Sequence, residues 1–166
     1  ISTKDEIELF DAGPIENKKI TSEVCIPHLL FSSSDYENLG SLIKCNPSIK
    51  ANSDKTALRQ ALKKGVIDYV ATDHATHILS EEEKNYLNSP SGMPSVQHSF
   101  LAVLEMVHDG DLEITDVPKV TSHNVAKRFE IKDRGFINEG FWADLVLVNM
   151  NDSYEVKKEK IFYKCG

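Results

Sequence analysis

At 166 residues the chain has room for one domain, or most of one domain with a small appendage. Hydrophobic residues at 40 % and charged residues at 27 % are ordinary globular chemistry, while a formal charge of −7 without a Lys/Arg cluster speaks against binding nucleic acid through its phosphates. No apolar run approaches the ~20 residues of a membrane span, and Cys25, Cys45 and Cys165 fit neither a disulfide framework nor a CxxC metal knuckle, so reduced thiols and a cytoplasmic location are expected.

In chain order, "STKDEIELFDAG" predicts a helix, with Thr3 and Glu6 as a capping box and Gly13-Pro14 as its stop. "KITSEVCI" (19–26) predicts a strand that delivers Pro27 and His28. "DYENLGSL" has the make-up of a short helix, and Asn46-Pro47 in "IKCNPSIK" marks a turn or strand end, because proline disfavours helix before it. "SDKTALRQALKKG" (53–65) is an amphipathic helix with Leu58, Ala61 and Leu62 on one face and Gly65 closing it. "VIDYVA" (66–71), apolar on both faces apart from Asp68, suits a parallel strand covered by helices.

Ser80 and Glu83 have the spacing of another capping box, inside an acidic run that suits a first helical turn. "PSVQHSFLAVLEMVHDG" (94–110) aligns Val96, Phe100, Val103, Leu104 and Val107 on one stripe. "ITDVPKVTSHNVAKRF" predicts a helix broken or started near Pro118. After Gly135 short β-like runs are separated by turn residues, so an α/β portion (1–132) and part of a small β domain (133–166) are expected.

Strand–helix alternation with a parallel-type strand implies βαβ units, in which functional groups gather at the carboxyl ends of strands. Asp73 occupies that position, where a carboxylate can ligate a metal, shuttle a proton, or do both. By itself an Asp-His pair after a strand reads more often as a helix cap or turn. Cys25 and Cys45 read as small buried hydrophobes, and His98, His108 and His123 as packed or surface histidines.

Five stretches together resemble the dihydroorotases of the amidohydrolase superfamily: "SEVCIPHLLF", "KCNPSIK", "YVATDHATH", "SGMPSVQHSF" and "GFINEGFWADLVLVN", in the family's order and spacing across nearly the whole chain. The resemblance implies the C-terminal part of a (β/α)8 barrel of the metal-dependent hydrolase type, followed by part of a small β-sandwich domain. It implies reversible hydrolysis of the cyclic amide of dihydroorotate to N-carbamoyl-L-aspartate in pyrimidine synthesis, by a metal-bound hydroxide. Asp73 matches the aspartate that binds the metal and acts as general acid/base. Asn46 and His77 match residues that hold the substrate's carboxylate and ring, and Ser91 and Gly92 match a loop whose backbone contacts the ring amide. His74 follows the aspartate without being a ligand in the family pattern, and His28 sits where these proteins often carry a histidine.

Thr76, Ser48, Lys50, Gln97 and "HNV" (123–125) depart from the family's usual residues, and the departures leave Asp73, Asn46 and His77 intact. Hydantoinases and allantoinases share the barrel and remain an alternative, as does a non-catalytic dihydroorotase-like scaffold. A full barrel takes about 250 residues, and the family's other metal ligands have no counterpart in this chain. The expectation is therefore a C-terminal fragment, beginning just after a ligating histidine at Ile1. One or two zinc ions would be held largely by donors upstream. The partners would be the small-molecule substrate, the remainder of the barrel and a second copy in a homodimer. Alone, the chain is expected to be inactive.

Overall fold

The structure is a computed structural model describing residues 1–82 and 84–163, with Glu82 described in its backbone only. It opens with α1 (Lys4–Ile7), a single turn. The Ser2 and Thr3 N–H groups donate to one Glu6 carboxylate oxygen at 2.6 and 2.7 Å, which is the expected cap. The helix stops far short of Gly13 because nothing covers Leu9, which is 77 % exposed, and short helices persist only where an apolar face is buried.

β1 (Glu23–Cys25) is shorter than the expected strand and runs directly into α2 (Ile26–Leu30), whose first turn accepts Pro27. α3 (Tyr36–Leu39) continues into a 3₁₀ turn at Gly40–Ile43, as the short-helix reading required. α4 (Asn52–Lys63) buries Leu58, Ala61 and Leu62, and ends ahead of Gly65, whose φ of +68° supplies the left-handed closing residue.

β2 (Tyr69–Ala71) then returns parallel to β1, placing Glu23 opposite Tyr69, Val24 opposite Val70 and Cys25 opposite Ala71. Parallel neighbours require a long crossover, and residues 26–68, with α4, provide it. α5 (Leu79–Glu82) corrects the second capping box: Ser80 lies inside the helix rather than ahead of it, and Glu83 falls outside the described residues. α6 (Ser99–His108) starts later than expected. Val96 precedes it and is exposed, while Met106 joins Val103 in the interior. α7 (Asp116–Pro118), a π-type turn at Lys119–His123, and α8 (Asn124–Arg128) follow without a gap, so Pro118 lies near the helical start.

The core collects Val24, Ile26 and Leu29 from β1 and α2, Leu58 and Leu62 from α4, Ile67 ahead of β2, and Val103 and Met106 from α6. Helices thus cover the strand pair, which is why "VIDYVA" carries apolar residues on both faces.

At the amino ends of the strands a polar clamp replaces apolar packing. Lys18 Nζ sits 2.7 Å from Asp68 Oδ1, with the two side chains 3 % and 2 % exposed. The same ammonium donates to the Gly65 and Val66 carbonyls at 2.7 and 3.0 Å. Asp68 Oδ2 accepts the Ser22 N–H at 2.9 Å, and the Asn124 amide donates to the Asp68 carbonyl at 2.7 Å.

Beyond α8 the described residues contain no strand. "ADLVLV" belongs to no strand, and Leu147 is fully exposed. A strand needs a neighbour for its backbone groups, and no described segment pairs with this one. Gln97 does anchor the tail, donating to the Lys160 carbonyl at 2.7 Å and accepting the Phe162 N–H at 2.8 Å.

Candidate active site at the strand ends

Because β1 and β2 run parallel, both finish on the same side, at Cys25 and Ala71. Two residues on stands Asp73, exposed, with a φ of +47°. Aspartate tolerates this left-handed conformation better than most residues, yet a non-glycine held there after a strand marks a locally over-determined backbone. The restraint comes from residues 93–96. The Ser95 hydroxyl donates to the Thr72 carbonyl at 2.5 Å, the Ala75 N–H to the Met93 carbonyl at 3.2 Å, and the Val96 N–H to His74 Nδ1 at 3.1 Å. Pinned on both sides, the Asp73 carboxylate makes no hydrogen bond or ion pair among the described residues.

The other expected residues gather around the same mouth. His77 Nε2 lies 3.2 Å from the Ser91 carbonyl; a carbonyl only accepts, so that nitrogen carries the proton. The Gly92 N–H donates to the Lys44 carbonyl at 2.8 Å, tying this loop to the one that bears exposed Asn46. Lys44 reinforces the tie through its ammonium, which donates to the Tyr86 and Ser89 carbonyls at 2.7 and 2.6 Å. Asp73, His77, Ser91, Gly92 and the Asn46 loop therefore form one connected rim. Ser91 O and Gly92 N are engaged inside the protein. Among the described residues the Ser91 N–H and the Gly92 carbonyl take part in no hydrogen bond.

Gly92 is required by geometry. Its φ is +113°, and a Cβ built there would lie 2.4 Å from the Cβ of Ala75. Gly92→Ala is expected to force the rim loops apart and to lower stability by about 1–3 kcal/mol, the usual cost of overpacking. Thermal unfolding measures it, and an unchanged melting temperature would show that the contact yields freely.

Beneath the rim lie two thiols and an imidazole. Cys45 is buried and Cys25 half-buried. Burial first, and the Asp73 charge second, push both thiols up to about 11. They stay protonated near neutrality and are poor nucleophiles. Cys165 lies outside the described residues. His28, 5 % exposed, places Nε2 2.9 Å from the Pro47 carbonyl and leaves Nδ1 without a partner among the described residues. Sequence reading left His28 outside the site; the available signal was a histidine in the first turn after a strand that ends at the mouth. His108 is exposed, His123 stacks on Phe136 at 4.4 Å between ring centres, and His98 packs near Tyr154 and Tyr163.

Among the described residues no group of three or more His, Cys, Asp or Glu side chains could hold an ion. Asp73 is a single donor, short of the about three protein ligands of a catalytic zinc. The described residues do not by themselves make a metal centre.

The model of the amidohydrolase family matches residues 12–163. The chain belongs to the amidohydrolase family. Several dihydroorotases are similar to it, among them that of Halobacterium salinarum, 35 % identical over 164 residues, which cover 99 % of this chain and 38 % of that protein. The allantoinase of Bacillus velezensis is 32 % identical over 165 residues, covering 99 % of this chain and 36 % of the relative. Among solved structures, the L-hydantoinase (dihydropyrimidinase) of Arthrobacter aurescens superposes with a TM-score of 0.77 at 23 % identity, over 84 % of this chain and 32 % of that one. That likeness is one of fold: the chain corresponds to part of an amidohydrolase barrel. It spans less than two-fifths of the relatives' length. No described helix is long and apolar enough to cross a membrane.

Proposed function

We propose that the chain is the carboxyl-terminal part of a dihydroorotase, and that Asp73 is its general acid/base. The observation supporting this reading is the position of Asp73: a carboxylate just past the end of β2, without a hydrogen bond or ion pair among the described residues, on a segment linked through residues 91–93 to the His77 and Asn46 loops. Asp73 takes the proton from a water that adds to the ring carbonyl carbon of dihydroorotate. It then delivers that proton to the ring nitrogen as the C–N bond breaks, releasing N-carbamoyl-L-aspartate; the reverse sequence closes the ring. The Asn46 amide offers N–H groups to the substrate's carboxylate. His77, whose Nε2–H is held by the Ser91 carbonyl, presents Nδ1 as an acceptor to a ring N–H, and the Ser91 N–H and Gly92 carbonyl lie beside the ring amide. Zinc at this mouth depends on donors from outside the chain.

The dihydroorotase names among the relatives favour this substrate, and the allantoinase and hydantoinase likenesses define the competing reading. A panel of dihydroorotate, hydantoin and allantoin with the full-length protein tests it. Dihydroorotate is expected to be turned over with the highest kcat/KM, and the 166-residue chain alone is expected to show no turnover. Preference for hydantoin or allantoin would replace dihydroorotase by one of those activities.

A further inference from the structure

The Asn46 loop is fastened at its ends. Lys44 donates its N–H to the Ser41 carbonyl at 3.0 Å and accepts from Gly92, the Ile49 N–H donates to the Tyr36 hydroxyl at 3.2 Å, and the Ser33 N–H donates to the Lys50 carbonyl at 2.7 Å. Between these points, across residues 45–48, the one hydrogen bond to the backbone among the described residues is that of His28 to the Pro47 carbonyl. The donor direction is set by chemistry: the carbonyl can only accept, so the ring is the tautomer protonated at Nε2. Nδ1 is then a buried bare acceptor, a lone pair without a partner among the described residues.

We propose that His28 is a positioning residue, whose Nε2–H holds the apex of the Asn46–Pro47 turn from beneath and so sets Asn46 at the mouth for the ring substrate. Burial lowers the pKa of the imidazole, which keeps it in the neutral form that this bond uses. The inference rests on the proposed reading for the identity of the substrate and on geometry alone for the loop.

Two near-isosteric variants separate positioning from packing. Glutamine can carry an amide N–H to the Nε2 position, whereas asparagine reaches only as far as Nδ1. In the full-length protein, His28→Asn is expected to raise KM for dihydroorotate about tenfold, the size of one lost hydrogen bond, with kcat little changed. His28→Gln is expected to retain the KM of the parent. Hydrogen exchange over residues 44–50 is expected to quicken in His28→Asn and to stay slow in His28→Gln, a readout that needs no substrate. Equal KM and equal exchange in both variants would overturn the positioning role, as would equal damage in both, which marks packing. If the parent protein fails to turn over dihydroorotate, the functional reading falls and the exchange pattern alone decides on His28.

Discussion

Asp73→Asn in the full-length protein is expected to lower kcat for dihydroorotate by about a hundred- to ten-thousandfold, the contribution of a positioned acid/base group. Asparagine is the informative replacement. Asp73 sits at a φ of +47°, and asparagine accepts that conformation nearly as readily, whereas alanine would add a backbone penalty to the chemical one. The carboxylate is exposed and makes no hydrogen bond or ion pair among the described residues, so its loss should leave the unfolding transition almost unmoved. A steady-state assay beside a thermal melt separates the two effects. Full turnover by the variant would remove Asp73 from the chemistry and with it the proposed function. Loss of turnover accompanied by a large drop in melting temperature would instead report a damaged rim.

How much of this was legible beforehand depends on the range of the interactions. The amphipathic helix at α4 and the one-turn cap at α1 were readable because their determinants lie within a few residues: Leu58, Ala61 and Leu62 at helical spacing, and Glu6 three residues after Thr3. The parallel character of β2 showed in its two apolar faces. Element lengths were overestimated where burial decides them. The α1 helix needed a surface to cover Leu9, and the runs after Gly135 needed neighbouring strands, and a local pattern specifies neither. The candidate site was visible as residue types, since Asp73, His77 and Gly92 fall in recognisable stretches. The hydrogen bonds that join them cross 14 residues from His77 to Ser91 and 19 from His28 to Pro47. Periodicity carries no information about such pairings. Asp68 is the sharpest instance. A charged residue in an otherwise apolar strand stood out, and its partner 50 positions earlier gave no local sign.

That partner sets the largest stability effect. Asp68→Ala leaves the Lys18 ammonium 3 % exposed and opposite no carboxylate, and it strips the Ser22 N–H of its acceptor. Lys18→Met leaves the carboxylate equally confined. Each single change is expected to cost about 3–5 kcal/mol, because breaking a buried pair strands an uncompensated charge in a medium that solvates it poorly. The pair is not thereby a large net gain: both ions were desolvated to form it, and their attraction largely offsets that cost. The double variant Lys18→Met/Asp68→Ala should therefore lose less than the sum of the two singles, by about 0.5–3 kcal/mol. Denaturant unfolding of the parent, both singles and the double closes the cycle. Additive losses, or singles costing under about 1 kcal/mol as exposed pairs do, would show that water reaches the clamp. Since Ser22 and Asp68 precede β1 and β2 at the end away from Asp73, such variants should reach the proposed chemistry only through global stability, with KM unchanged in whatever fraction stays folded.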